Sequence, residues 1–142
     1  MLSAGYFTGC TGVEVVRTET AFTARELWRN KSLRNKFTSS VLHDGCIYGL
    51  DEDNLVCLDA ATGARQWKGG RYGYGQALLA SGCLVVLCGD GQLALVRATP
   101  ARHEELARFP AIRGKTWNHP ALAGGWLLVR NAAEMACFEV AR

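Results

Sequence analysis

One short apolar pattern recurs through the chain at intervals of about 40 residues, and this recurrence restricts the fold more than any single residue does. The copies are Val13-Glu14-Val15-Val16, Leu55-Val56-Cys57-Leu58, Leu93-Ala94-Leu95-Val96 and Met135-Ala136-Cys137-Phe138. Ahead of three of them a turn closes on glycine, at Asp44-Gly45, Ser81-Gly82 and Gly124-Gly125, and each turn opens into a further apolar run. Behind three copies a mixed segment ends in an aromatic, at Trp28, Trp67 and Phe109. Short runs of Val, Leu, Cys and aromatics bounded by Gly, Asp or Asn read as strands, so each unit is predicted to hold four of them. The Pro100–Ala107 stretch has good helix propensity, but the repeat requires a turn and an outer strand there, and it is read as strand.

A period near 40 with four strands per unit is the signature of a β-propeller blade. The expected fold is therefore all-β: a partial propeller, about half of one, with roughly 3.5 to 4 four-stranded antiparallel blades. Composition agrees, since 142 residues at 49% hydrophobic and 20% charged bury one core, and 16 Gly against 3 Pro supply many tight turns. The single domain 1–142 divides into an incomplete blade at 1–30 lacking its first strand, blades at 37–68 and 76–110, and an incomplete blade at 115–142 lacking its fourth. Closed propellers use about four to eight complete sheets. Either the chain is part of a longer one, or copies associate through open edges at Leu2–Phe7 and Glu134–Val140.

The segment Leu58-Asp59-Ala60-Ala61-Thr62-Gly63-Ala64-Arg65-Gln66-Trp67 resembles the tryptophan-docking repeat of quinoprotein-type propellers. Asp59 and Thr62 suit a hydrogen-bonded tight turn, Gly63 a positive φ, and Trp67 a flat wedge between blades. From Leu27 to Arg142 the chain resembles the C-terminal part of PQQ-like β-propeller repeat proteins, a group that includes the propeller lipoprotein of outer-membrane barrel assembly. The resemblance implies a periplasmic or other extracytoplasmic setting, although the first residues show no signal peptide. Quinone-dependent dehydrogenases of this group carry PQQ and calcium beside a vicinal Cys pair, which this sequence lacks. Asp51-Glu52-Asp53 with Asn54 reads as a solvated hairpin turn, without the Gly and distal Glu of a calcium loop.

Chemistry-bearing motifs are otherwise sparse. The six cysteines form no Cys-x-x-Cys pair and most sit in apolar runs, where thiols pack as small hydrophobes. No Ser or Cys matches a His and a carboxylate, and His43, His103 and His119 lack metal-ligand spacing. No catalytic, cofactor-binding or metal residues are assigned, and the reading leans away from an enzyme. Gly69–Gly75 is predicted to be an inter-blade crossover that places Arg71, Tyr72 and Tyr74 near one mouth of the ring, with Trp117, Asn118 and His119 leading into an inner strand. These six are candidate ligand or partner contacts. The basic cluster Arg25, Arg29, Lys31, Arg34 and Lys36 reads as a charged blade edge rather than a nucleic-acid platform. No apolar run is long enough for a membrane-spanning helix. The expected function is a non-catalytic scaffold or protein-interaction module that completes a ring by self-association; the alternative is a fragment of a PQQ-dependent alcohol or sugar dehydrogenase whose active site lies elsewhere.

Overall fold

The computed structural model describes residues 1–140; residues 141 and 142, the end of the expected fourth unit, lie outside the described residues. Fourteen strands follow one another without a helix: β1 (Leu2–Ala4), β2 (Gly9–Arg17), β3 (Phe22–Asn30), β4 (Val41–His43), β5 (Cys46–Asp51), β6 (Asn54–Asp59), β7 (Arg65–Gly69), β8 (Gln76–Ala80), β9 (Cys83–Leu87), β10 (Gln92–Arg97), β11 (Glu105–Pro110), β12 (Ala121–Ala123), β13 (Trp126–Arg130) and β14 (Met135–Glu139). They form four antiparallel sheets ordered β1-β2-β3, β4-β5-β6-β7, β8-β9-β10-β11 and β12-β13-β14. Within each sheet every strand pairs with its sequence neighbour, as in the blades of a partial β-propeller.

Burial explains why the middle blades are so apolar. All of β5 is buried and β9 nearly so, because a middle blade is packed on both faces. The terminal blades are covered on one side only. In β13, Leu127 and Val129 are buried while Trp126 remains half exposed, and in β14 burial alternates in the same way. One core, holding Tyr48, Leu50, Leu55, Leu84 and Val86, joins the two middle blades. A second, with Val85, Leu87, Leu127 and Val129, joins the third blade to the fourth, and a third, with Cys10, Leu33, Val56 and Leu58, joins the first to the second.

Two details depart from the sequence reading. Gly12 lies opposite Trp28 and Cys57 opposite Trp67, each followed at once by a register shift, so Cys10–Val13 rather than Val13–Val16 corresponds to Leu55–Leu58. Val15 and Val16 run on along a longer hairpin and are exposed. The second concerns Pro100–Ala107: β11 begins only at Glu105, and Pro100–Glu104 form the connection before it. Thr99 at its start is tied by its carbonyl to the neighbouring blade, which fixes the chain away from the sheet.

Candidate functional site

The Asp59–Gly63 turn is built by its own side chains. Asp59 Oδ1 accepts from the Thr62 backbone and hydroxyl, both at 2.8 Å, and from the Ala61 backbone at 3.0 Å. Those bonds, led by the Thr62 hydroxyl, hold the Asp59 carboxyl below its ordinary range. Gly63 turns back with φ 73°, its N–H donating to the Asp59 carbonyl at 2.9 Å. The finished turn receives the preceding blade: Trp28 Nε1 donates to the Ala60 carbonyl at 3.0 Å and Asn30 Nδ2 to the Gly63 carbonyl at 2.8 Å. One blade further on, Trp67 Nε1 donates to the Thr99 carbonyl at 2.8 Å. Phe109 stands at the next equivalent position, has no N–H, and makes an edge-to-face contact with Phe138 at 5.4 Å. Beside it a cleft of about 630 Å³ opens between the third and fourth blades.

Asp51 is not solvated. Its side chain is 4% exposed and clamped by Arg34 Nε at 2.7 Å, Arg34 Nη2 at 3.1 Å and Lys68 Nζ at 2.6 Å, with the Arg34 backbone N–H adding a fourth donor at 3.1 Å. Burial pushes this carboxyl up, and the Arg34 and Lys68 bonds more than reverse it, leaving the pKa below the usual value. The clamp fixes the crossover between the first two blades to β5 and β7. Its signal in the sequence was the end position of Asp51 in an inner apolar run, which differs from the turn positions of Glu52 and Asp53.

Consecutive antiparallel strands alternate direction, so all three inter-blade crossovers and the β1–β2, β5–β6, β9–β10 and β13–β14 turns emerge on one rim. On that rim Phe37 stacks on Trp117 with centroids 5.4 Å apart, and Tyr74 meets the same ring edge-on at 6.1 Å. Lys36 Nζ lies 4.6 Å from the Tyr6 centroid and 5.0 Å from that of Tyr74, and Lys115 Nζ lies 3.6 Å from that of Trp117. Tyr6, Phe7 and Phe37 are exposed and have φ of 54°, 69° and 60°. Left-handed backbone costs a bulky residue about 1–3 kcal/mol, and such strain concentrates at functional sites.

The six candidate contacts fare differently. Tyr74 and Trp117 meet in this cluster. Asn118 is half-buried and His119 exposed beside Trp117 in sequence, and Arg71 is exposed on the neighbouring crossover. Tyr72 is turned inward, 1% exposed, its hydroxyl 2.7 Å from His103 Nε2 and donating to Glu105 at 2.8 Å. It turns inward because its ring packs against Gly70, where a Cβ would lie 2.3 Å from the ring. It therefore serves the core and not the rim surface. Tyr6, Phe37 and Lys115 escaped notice, and Lys36 was read only as part of a charged blade edge, because only the rim geometry brings separate crossovers together. Of the basic cluster, Arg25, Arg29 and Arg34 hold Glu14, Glu26 and Asp51.

The chain is similar in fold to BamB. Against the crystal structure of BamB from Moraxella catarrhalis the TM-score is 0.64 and the identity 14%, with 80% of this chain and 33% of that chain covered. The chain thus spans about a third of that structure's length. No protein-family model and no curated protein matches it. Among the described residues no helix is long and apolar enough to cross a membrane.

Proposed function

We propose that this chain is a non-catalytic propeller segment that works as a scaffold and protein-interaction module, and that copies associate through their terminal blades. The observation that carries the reading is the apolar exposure of those blades. Leu2, Val15 and Phe22 on the first are 68%, 66% and 72% exposed, and Trp126 and Met135 on the last are 50% and 67% exposed. In the middle blades the corresponding faces are packed by neighbours, and contiguous exposed apolar surface marks an interaction site. The first blade has three strands and the last has three, so each also presents a sheet edge. Two copies placed end to end supply eight blades, a number at which propellers close. In this reading the Asp59–Gly63 turn with Trp67 is a docking repeat that stitches blade to blade, as the resemblance to quinoprotein-type propellers suggests.

Light scattering coupled to size exclusion tests the association. The expected mass is twice 15.4 kDa, falling to one chain in Phe22→Glu and Trp126→Glu variants. A strictly monomeric chain at high concentration overturns self-association. Reconstitution of a redox-active complex with PQQ and calcium overturns the non-catalytic reading.

A further inference from the structure

We propose that the rim cluster of Tyr6, Phe37, Tyr74 and Trp117 with Lys36 and Lys115 binds an acidic peptide segment that carries an aromatic or large apolar side chain beside its carboxylates. The inference rests on the reading of the chain as a protein-interaction module and names the chemistry of the partner.

Charge is the first argument. Arg25, Arg29, Arg34, Lys68, Arg97 and Arg108 hold carboxylates, whereas among the described residues Lys36 and Lys115, like Lys31, Arg71 and Arg113, have none within 4.0 Å of the side-chain charge. The Lys36 and Lys115 ammoniums are instead held over aromatic rings. A ring quadrupole orients a cation without neutralising it, so two positioned positive charges remain for an anionic partner. Glu52 is engaged by the Tyr74 hydroxyl at 3.4 Å and not by either lysine.

The aromatic groups point to a peptide. Exposed Tyr, Trp and Phe are what protein interfaces use as anchors, and the two lysines add the charge. Tyr6, Phe7 and Phe37 are held outward by left-handed backbone, with exposures of 70%, 81% and 59%. Gln76, 1% exposed at the start of β8, donates its amide to the Phe37 carbonyl and leaves its buried Oε1 without a partner. The bond ties the Phe37 backbone to the start of β8 and so holds its ring on the rim. Single-stranded nucleic acid needs open ring faces on which bases stack. Phe37 and Lys115 already occupy the Trp117 ring, so the largest ring of the cluster offers no open stacking face.

Fluorescence anisotropy on the full chain tests this with three labelled probes: a peptide alternating Asp and Phe, its Lys-for-Asp counterpart, and oligo-dT. The expected result is binding of the acidic peptide at least tenfold tighter than either other probe, weakening as salt rises. The double variant Lys36→Met with Lys115→Met is expected to lose about tenfold or more in affinity, with its thermal unfolding and light-scattering mass unchanged. Tyr6→Ser, on an exposed turn, is a second variant expected to weaken binding. Equal binding of acidic and basic peptides, tighter binding of oligo-dT, or an affinity indifferent to the lysine pair overturns the proposal. Because the scattering mass is read separately, loss of peptide binding and loss of self-association are told apart.

Discussion

Trp28 and Gly63 interlock across the first blade boundary: a Cβ placed on Gly63 would lie 2.5 Å from Cδ2 of the indole. The same glycine has φ 73°, which disfavours any L side chain. Gly63→Ala therefore combines backbone strain with displacement of the indole and is expected to cost about 2–3 kcal/mol. Urea unfolding monitored by tryptophan fluorescence checks this, and a loss below about 0.5 kcal/mol would mean that the indole yields easily.

The two indole N–H bonds predict a graded pair of variants. Trp28→Phe and Trp67→Phe keep much of the ring and strand the Ala60 and Thr99 carbonyls. Each is expected to destabilise by about 1–3 kcal/mol, the larger loss falling at buried Trp67. Equal stability of Trp67→Phe and the parent chain would show that the Thr99 bond contributes nothing net.

Removing the carboxylate of Asp51 leaves Arg34 and Lys68 facing a site shaped for an anion. Asp51→Ala is expected to cost about 3–5 kcal/mol. Replacing all three groups together with apolar residues should recover part of that loss, which chemical denaturation of the single and triple variants will show.

Acid should weaken the fold in two stages. Desolvation holds the His103 pKa below its ordinary 6.5, so the unfolded chain takes up its proton first and stability declines as pH falls below that value. The Asp51 pKa lies below its ordinary 3.8, so the clamp contributes in full above that value and is lost as pH falls through the folded-state pKa. Urea midpoints between about pH 7 and about pH 3 should show both, and His103→Gln should remove the first stage alone.

Thiol chemistry gives a map of the packing. Burial pushes the Cys57 thiol up to about 12 and the Cys88 thiol up to about 11. Iodoacetamide followed by mass spectrometry should label exposed Cys137 in the native chain and reach Cys57 and Cys88 only after unfolding. Rapid native labelling of Cys57 would contradict the blade packing.

The strands were legible because a blade packed on both faces leaves apolar runs that no solvated strand would show; Leu55–Leu58 and Leu84–Leu87 are such runs. The register of the first copy was not. Val15 and Val16 imitate an inner strand while lying on a long exposed hairpin, and what aligns the units is the residue opposite each recurring tryptophan. Asp51 looked like its acidic neighbours because its partners, Arg34 and Lys68, come from either side of the strand in sequence. Tyr74 and Trp117 announced the rim, but Lys36 and Lys115 carry no local signal, since their role depends on which crossovers become neighbours.

The indole bonds across the first two blade boundaries also set how the molecule comes apart. Trp28 and Trp67 couple only adjacent sheets, so stability passes along the row as it does in a stack of repeats. The ends should fray first, in a zipper that opens inward. Amide exchange is expected to be slowest in β5, β6 and β9 and fastest in β1 and β14, and a chain capped at both ends by other blades would have no fraying end at all.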